Sequence, residues 1–414
     1  MFFLISLAQL VASENWAVLV AGSKEYRNYR HQSDIFQTYQ ILIDRGFKKE
    51  NIITFAYDDI INHPENPVPG KIFNLRKNIN VYPGREAIDY RGENVTTANV
   101  ISVLTGTPTA TAPKVLKSTK KDNVFFFYND HGTRGFLCMP KGNGPYLSAA
   151  KLKEAILEMK KKHLFKKLFV NLEACYSGSV ARELEGISDV TSLCAANANE
   201  SSYSYAYDST IQTFRTNEFT YSFLKYITEH PKDKLEKLFE YAKSHVTGSE
   251  VQSFGDHKVP KNTDISEFLG VSEAINLDEI NDEIYEETEH VSSLKTYIDY
   301  LKNRVKSAGT LLEKIDASQE LFNELRRRAK SKKIFSRILA PFTTENAKEL
   351  ANDFPEHNIP WKCYENAIEL YRERCGEVEE YEIEKIPAFA KICETQGEEK
   401  LLGRIEKVCP RKKW

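Results

Sequence analysis

The sequence predicts a three-layer α/β domain with a mainly parallel sheet, followed by an all-α helical region. Up to about residue 270, short apolar runs alternate with amphipathic stretches, which is the pattern of strands joined by crossover helices. Beyond that point the chain is rich in Glu, Lys and Leu and has few Gly or Pro before Pro341, which is typical of helices. A chain of 414 residues, 41% of them apolar, can bury the core of two or three structural units.

Each predicted strand is a short apolar run bounded by polar or turn-forming residues. The predicted strands span 16–21, 51–57, 123–128, 168–172 and 190–195. Between them, the 3.6-residue pattern predicts helices near 33–45, 95–104, 148–161 and 219–229. In the second region, Leu294, Ile298, Leu301 and Val305 recur at helical spacing, as do several apolar residues within 311–321.

The first thirteen residues form an apolar segment that ends in small residues. The segment has the length of a signal-peptide core and is too short to span a bilayer, so we expect entry into the secretory pathway. A buried first strand is the alternative, but residues 16–22 already supply one. No later stretch approaches the roughly 20 apolar residues of a membrane span. The net charge of −2 argues against nucleic-acid binding, because no excess of cations remains to neutralise phosphates.

Cysteines divide into two groups along the chain. Cys138, Cys175 and Cys194 are scattered through the first region, whereas four cysteines lie after residue 360. An even set of four in an oxidising compartment predicts two disulfides, while zinc favours tighter Cys-x-x-Cys pairs. Because seven is odd, at least one thiol stays free. We expect neither a metal nor a cofactor. Two sequons, at Asn94 and Asn199, suit a secreted chain.

Two predicted strands end in residues that carry chemistry. The strand 123–128 runs into His131 and Gly132, and the strand 168–172 runs into Cys175, which small residues follow. The carboxyl ends of neighbouring parallel strands meet at one sheet edge, so the thiol and the imidazole come within reach of each other. Either residue alone is more often structural, but the pair predicts a nucleophile and its acid/base partner.

The two loops, with sequences YNDHG and EACYSGS, resemble those of the legumain family, the asparaginyl endopeptidases with a caspase-like catalytic domain. Further segments agree in the same order: 28–31, 57–60, 66–70, 115–118 and 200–203. The resemblance covers nearly the whole chain, and the segment 363–375 resembles the start of the disulfide-bearing legumain prodomain.

The resemblance implies roles for individual residues. Cys175 and His131 would form the catalytic dyad, Asn28 would orient the imidazole, and the Gly132 N–H would stabilise the oxyanion. The P1 pocket, which binds the side chain before the cleaved bond, would be lined by Arg30, His31, Glu173, Ser201, Ser202 and Tyr203. The implied disulfides are Cys363–Cys393 and Cys375–Cys409.

The pattern departs from the family at Asn217. The family has an Asp there to accept from the substrate amide, and an Asn carbonyl accepts more weakly than a carboxylate. The alternative is that Asn217 and Glu218 simply face solvent. The expected activity is therefore cleavage after Asn, with cleavage after Asp and peptide ligation as further outcomes.

The resemblance also implies a zymogen that acid activates. The expected units are a signal peptide (1–13), a catalytic domain (14–272), a linker (273–308) and a helical prodomain (309–414) that inhibits in cis. Basic runs at 326–328 and 330–333 would pair with carboxylates around the active site, and acid would release them. Processing is expected at Asn303, or else at Asn276 or Asn281. Expected partners are protein substrates and cystatin-type inhibitors, and the expected location is a lysosome-like or extracellular one.

Three alternatives remain open on these residues. A glycosylphosphatidylinositol transamidase subunit shares the His-Gly and Cys signals and resembles the segment 217–221, but the four-Cys helical tail favours legumain. A catalytically silent binding or adhesion protein could keep the same fold, although intact Cys175 and His131 argue against it. An Arg- or Asp-specific peptidase is the third.

Overall fold

The computed structural model describes residues 14–76, 78–271 and 290–410. The predicted signal peptide lies outside these residues. The strands are β1 (Asn15–Ala21), β2 (Ile52–Phe55), β3 (Asn123–Asn129), β4 (Gly132–Thr133), β5 (Phe136–Leu137), β6 (Leu147–Ser148), β7 (Lys167–Glu173), β8 (Val190–Cys194), β9 (Tyr203–Asp208), β10 (Thr213–Asn217), β11 (Gln252–Gly255) and β12 (Val291–Ser292).

The helices divide between the two regions that the sequence predicts. The first region contains α1 (Tyr29–Asp44), α2 (Thr97–Leu104), α3 (Ala149–Lys161), α4 (Gly178–Ala181), α5 (Glu218–Glu229), α6 (Leu235–His245), α7 (Lys258–Asn262) and α8 (Ile265–Leu269). The second contains α9 (Thr296–Ser307), α10 (Leu311–Leu339), α11 (Ala347–Asn352), α12 (Trp361–Cys375), α13 (Pro387–Gln396) and α14 (Glu398–Val408), with a 3₁₀ helix at Glu380–Lys385. Within the described residues, no helix is both long and apolar enough to span a bilayer.

The central sheet has the order β11-β8-β7-β3-β1-β2 and is parallel except for β11. Its five parallel strands coincide with the five predicted runs, so those predictions are confirmed. Alternate residues of β3 enter different cores: Val124 and Phe126 pack on the side of α2 and α3, and Phe125 and Phe127 on the side of α1, α5 and α6. Burial on both faces explains why the strand is continuously apolar.

The helical region packs against one side of this sandwich. Apolar side chains of α10, α12 and α13, such as Phe335, Tyr364 and Phe389, join the same core cluster as β3 and α3. Two disulfides, Cys363–Cys393 and Cys375–Cys409, tie α12 to α13 and to the end of α14. These are the pairs that the family resemblance implies. Three cysteines, Cys138, Cys175 and Cys194, are free and buried.

Two small antiparallel sheets complete the fold and were not predicted. One joins β4, β5 and β6 beyond the end of β3, and the other has the order β10-β9-β12. The second sheet contains a strand from the segment after residue 290, paired with a strand of the first region. This sheet therefore joins the expected linker to the first region.

Candidate active site

Cys175 lies just beyond β7, in a sharp turn between that strand and α4. The turn is made by Tyr176, whose φ of 57° lies in the left-handed region. The sulfur lies 3.1 Å from Ser201 Oγ and 3.8 Å from Ser202 Oγ. Burial raises the pKa of the thiol above its ordinary value and outweighs the hydrogen bonds from the two serines. Cys175 is therefore a neutral thiol in this state of the chain.

The loop that carries His131 touches the loop that carries Cys175. Because β3 and β7 pair in parallel, the segments after them start side by side. A Cβ atom placed on Gly132 would lie 2.5 Å from the backbone oxygen of Cys175 and 3.0 Å from the Cβ of Ala174. Only glycine permits so close an approach of the two backbones. The loops that carry Cys175 and His131 thus meet at the sheet edge, as their parallel strands predict.

Asn28 determines which nitrogen of His131 carries the hydrogen. The Nε2 of His131 lies 2.9 Å from Asn28 Oδ1, and the Asn28 NH₂ group donates to the backbone oxygen of Lys24 at 3.0 Å. Since an amide oxygen only accepts, Nε2–H is the donor. The Nδ1 of His131 is buried and has no hydrogen-bond partner among the described residues. This nitrogen is free to exchange a proton.

His31 supports His131 from the side. Its Nδ1 lies 2.7 Å from Ser23 Oγ and 3.3 Å from Asp130 Oδ1, and its ring meets the His131 ring edge-on at 5.0 Å. Burial and the charge of Arg30 hold the pKa of His31 well below 6.5, so the ring is neutral. These contacts place His31 beside the histidine. With Asp130 and His131 it also has the spacing of metal ligands, the one such group among the described residues.

Arg30 and Glu173 are buried near Cys175, and each has one polar side-chain atom without a hydrogen-bond partner among the described residues. Arg30 donates from Nε to Asn217 Oδ1 at 2.9 Å and from Nη1 to a backbone oxygen, whereas Nη2 makes no hydrogen bond within the described structure. Glu173 accepts from Thr220 at Oε2, while Oε1 has no partner there. Burial, and then the nearby Asp34 carboxylate, raise the pKa of Glu173 to about 8. The glutamate is therefore protonated at neutral pH.

Asn217 lies in this cluster, but its side chain is fully engaged. Its carbonyl oxygen accepts from Arg30, and its NH₂ group donates to Asp34 Oδ2 at 2.9 Å and to Asn129 Oδ1 at 3.1 Å. The residue is completely buried. The expectation that Asn217 presents a free acceptor to the substrate, and its alternative of a solvent-facing side chain, are both corrected. Sequence reasoning missed Asp34, although it lies one helical turn after Arg30 on the buried face of α1.

The linker occupies the edge that carries the expected pocket residues. Strand β12 pairs antiparallel with β9, placing Ser292 opposite Tyr203. Ser293 N–H donates to the backbone oxygen of Ser202 at 2.9 Å, and Ser292 Oγ donates to Ser201 Oγ at 2.9 Å. An extended segment of the chain thus lies along the residues next to Cys175.

A carboxylate from the helical region reaches His131. Glu380, which begins the 3₁₀ helix, is 8% exposed, and its Oε1 lies 3.4 Å from His131 Nε2, 3.4 Å from Asn28 Nδ2 and 3.3 Å from Arg27 Nε. Burial would raise the pKa of Glu380, but the charges of Arg27 and then His131 outweigh it and hold the pKa well below 4.5. The neighbouring Glu379 forms an ion pair with Lys141 of the first region.

In these contacts the helical region supplies the acidic groups, whereas it was expected to supply the basic ones. The basic run was expected to bind carboxylates of the active site, but Arg327 and Arg328 pair with Glu324 of their own helix, α10. Glu379 and Glu380 of the helical region contact instead Lys141, Arg27 and His131 of the first region. A cavity of about 390 Å³ remains between the two regions, with Ser201 and Tyr203 on one wall.

The expected modification sites differ in accessibility. Asn94 ends a short 3₁₀ helix and Asn199 lies in a turn, and both side chains are exposed, so both sequons are sterically open. Asn303 lies within α9, where its backbone is helical and half-buried. Asn276 and Asn281 lie outside the described residues.

Comparison with known proteins assigns both regions. The model of the peptidase C13 family matches residues 15–271, and the legumain prodomain model matches residues 319–409. Legumain of Bos taurus is 30% identical, over 92% of this chain and 89% of that protein. The vacuolar-processing enzyme delta-isozyme of Arabidopsis thaliana is 32% identical, over 95% and 90%. Hemoglobinase of Schistosoma japonicum is 38% identical, over 62% and 60%.

The fold agrees with these matches. The family model covers the α/β domain with its mainly parallel sheet, and the prodomain model covers the disulfide-linked helices. The C-terminal helices are thus an intramolecular inhibitory prodomain, and the function class is that of a cysteine endopeptidase. The chain belongs to the peptidase C13 family, the legumain family of cysteine endopeptidases.

Proposed function

We propose that the protein is an asparaginyl endopeptidase, made as a zymogen, in which Cys175 is the nucleophile and His131 the acid/base. The observation that carries the proposal is the contact between the two loops, where Gly132 lies against the backbone of Cys175. Behind this contact lie a donor and an acceptor that both lack partners within the described structure, Arg30 Nη2 and Glu173 Oε1.

The reaction follows from the free nitrogen of His131. The Nδ1 of His131 accepts the thiol proton of Cys175 as the sulfur attacks the scissile carbonyl, and the Gly132 N–H stabilises the oxyanion. His131 delivers a proton from Nδ1 to the leaving amine, the C–N bond breaks, and a thioester remains on Cys175. Asn28 holds the Nε2–H throughout. Water then hydrolyses the thioester, while an incoming amine would instead form a new peptide bond, which is the proposed ligase activity.

The P1 pocket suits a side-chain amide. The carbonyl oxygen of an Asn would accept from Arg30 Nη2, and its NH₂ group would donate to Glu173 Oε1. A buried site that must satisfy both groups rejects side chains lacking either one. Because Glu173 is neutral below about pH 8, it does not repel an Asp, and a protonated Asp resembles Asn in shape. We therefore propose cleavage after Asn, extending to Asp at acid pH.

Two barriers keep the full chain inactive in this proposal. Strand β12 covers the substrate edge beside Ser201, and the Glu380 carboxylate contacts the Nε2 of His131. Acid weakens the contact of Glu380, because the pKa of this carboxyl group is lower when it is docked than when it is free, so protonation favours release. An acidic compartment, vacuole-like or lysosome-like, fits this activation, in line with the name of the vacuolar-processing enzymes; the extracellular space is the alternative.

The finer features of the precursor remain part of the proposal. The units are a signal peptide (1–13), a catalytic domain (14–272), a linker (273–308) and a prodomain (309–414), with glycans at Asn94 and Asn199. Processing at Asn303 requires local unwinding of α9, since proteases bind extended chains. Protein substrates and cystatin-type inhibitors would bind along the edge of β9 once β12 has dissociated from it.

The alternatives make different predictions. A transamidase subunit has no need of a legumain prodomain, which matches residues 319–409 here. A silent binding protein would leave Cys175 unlabelled by an Asn-directed electrophile after acid treatment. An Arg-specific enzyme would place a cation beside Arg30, which the buried guanidinium disfavours.

A P1 library tests the specificity. The acid-activated chain, presented with peptides that differ only at P1, should cleave Asn best at pH 6, and Cys175→Ala should cleave none. A preference for Arg, or equal cleavage of all P1 residues, would refute the proposed specificity.

A further inference from the structure

We infer that Asp34 is a specificity-positioning residue, whose carboxylate holds Asn217 in the orientation that keeps Arg30 directed at the P1 side chain. This inference rests on the proposed preference for Asn at P1. Asp34 lies on α1, one turn after Arg30, and is completely buried.

Four hydrogen bonds from three asparagines converge on the Asp34 carboxylate. Its Oδ1 accepts from Asn74 Nδ2 at 2.7 Å, and its Oδ2 accepts from Asn129 Nδ2 at 2.9 Å. Asn217 contributes the other two, from its side-chain Nδ2 at 2.9 Å and its backbone N–H at 3.3 Å. Burial raises the pKa of Asp34 to about 6, with the hydrogen bonds from Thr216 and then from Asn74, Asn129 and Asn217 opposing that rise. The group is therefore an acceptor-only carboxylate at pH 7.

This carboxylate decides which way the Asn217 amide faces. An amide side chain can turn by half a rotation, which exchanges its oxygen and its NH₂ group. The Asp34 carboxylate requires the NH₂ group on its own side, as does Asn129 Oδ1 at 3.1 Å. Asn129 presents that oxygen because its own NH₂ group is bound to Asp34. Both amides thus take their orientation from one charge.

The orientation of Asn217 in turn fixes Arg30. With the NH₂ group bound to Asp34, the Asn217 oxygen faces the Nε of Arg30 and accepts from it at 2.9 Å. A turned amide would set its NH₂ group against Nε–H, donor against donor. Because the guanidinium is planar, a bond at Nε fixes the direction of Nη2, the atom left for the substrate.

The charge expected at position 217 is therefore supplied from position 34. In the family pattern a carboxylate stands at 217, where this chain has Asn. Here Asp34 supplies a carboxylate and Asn217 an amide, and a 2.9 Å hydrogen bond joins the two side chains. Exchanging the two residues should preserve this chemistry, because a carboxylate at position 217 would accept from Arg30 and from the amide then placed at position 34.

A purely structural role is the competing explanation, because Asp34 also joins α1 to β3 and β10 through its hydrogen bonds. The test therefore uses a ratio that a loss of folded enzyme does not change. The acid-activated full chain is assayed at pH 7 on two peptides with Asn or Ala at P1, and active enzyme is counted by titration of Cys175. Asp34→Asn should lower the Asn-to-Ala ratio of kcat/KM about 10- to 100-fold, mostly by raising KM for the Asn peptide.

Two further variants complete the experiment. Thr38→Val removes a buried hydrogen bond, 2.7 Å from Thr38 Oγ1 to the Asp34 backbone oxygen, without touching the carboxylate, and should leave the ratio unchanged. The exchange D34N/N217D should restore most of the wild-type ratio. If D34N does not fold, the exchange variant still decides, because it retains the carboxylate.

The possible outcomes distinguish a failure of the inferred role of Asp34 from a failure of the proposed function. An unchanged ratio in D34N, or an exchange variant that folds but no longer prefers Asn, would overturn the role of Asp34. A wild-type enzyme that does not prefer Asn would instead refute the proposed function on which the inference rests.

Discussion

Replacing Glu380 by Gln should convert the silent zymogen into a chain with measurable activity at pH 7. The carboxylate is buried and meets three groups of the catalytic domain: Arg27, Asn28 and His131. Removing this buried carboxylate costs about 2–4 kcal/mol, because Arg27 then keeps only the more exposed Glu25 and Glu379 as ion-pair partners among the described residues. At about 1.4 kcal/mol per factor of ten, docking of the prodomain should weaken roughly 30- to 1,000-fold.

The pH dependence of docking follows from the same contact. The pKa of Glu380 is lower when the prodomain is docked than when it is released. The docked chain therefore binds fewer protons than the released chain. The contribution of the Glu380 contact to docking is complete above pH 4.5, which is the pKa of the free carboxyl group. It is lost as the pH falls through the lower pKa of the docked group. The wild-type chain should therefore open only in acid, whereas Glu380→Gln should already open at neutral pH and depend less on acid.

The assay follows uncleaved chain at pH 7 with a small Asn peptide and an electrophile that labels Cys175. Glu384→Gln is the matched control, because Glu384 belongs to the same 3₁₀ helix but pairs with Lys348 of the prodomain. Equal labelling of wild type, Glu380→Gln and Glu384→Gln would refute the reasoning. So would an unchanged acid threshold in Glu380→Gln.

Three further predictions concern the catalytic domain and the prodomain. Gly132→Ala should lower kcat/KM at least 100-fold in the active enzyme, because its Cβ would lie 2.5 Å from the Cys175 oxygen, and steady-state kinetics after titration measures this. The neutral state of Glu173 should make the domain less stable as pH rises from about 4.5 to about 8, by on the order of 4 kcal/mol, because only the folded state retains the proton. Thermal denaturation should show a flatter profile for Glu173→Gln. Removing the Cys375–Cys409 bridge should destabilise the prodomain by about 3–4 kcal/mol in the chain-entropy picture, measured by urea denaturation.

The parallel sheet could be predicted because its signal is local. Each of the five parallel strands is an apolar run short enough to be a strand, and burial on both faces leaves no polar alternation to confuse the pattern. The antiparallel strand β11 (Gln252–Gly255) has no such signal, since all but its last residue are partly exposed. Its pairing with β8 depends on tertiary contacts.

The chemistry of the site was predictable where it follows strand ends, and not where it depends on docking. Cys175 and His131 follow neighbouring strands, so topology alone brings their loops together. Glu380 lies 249 residues after His131 along the chain, and nothing in its surroundings distinguishes it from other glutamates. The basic run at 326–333 was conspicuous, but a charge run does not reveal whether its partner is another domain or its own helix. Asp34 was overlooked because its partners, three asparagines, come from three distant segments.

The most direct test of the central claim is to capture the acyl-enzyme. The acid-activated chain is mixed with a peptide containing one Asn, quenched in acid within milliseconds to seconds, and digested for mass spectrometry. The account predicts a thioester on Cys175 whose added mass is that of the peptide fragment ending in Asn, less one water, and no adduct in Cys175→Ala. Cleavage of the peptide without an adduct, an adduct on another residue, or a fragment ending in a residue other than Asn or Asp would contradict it.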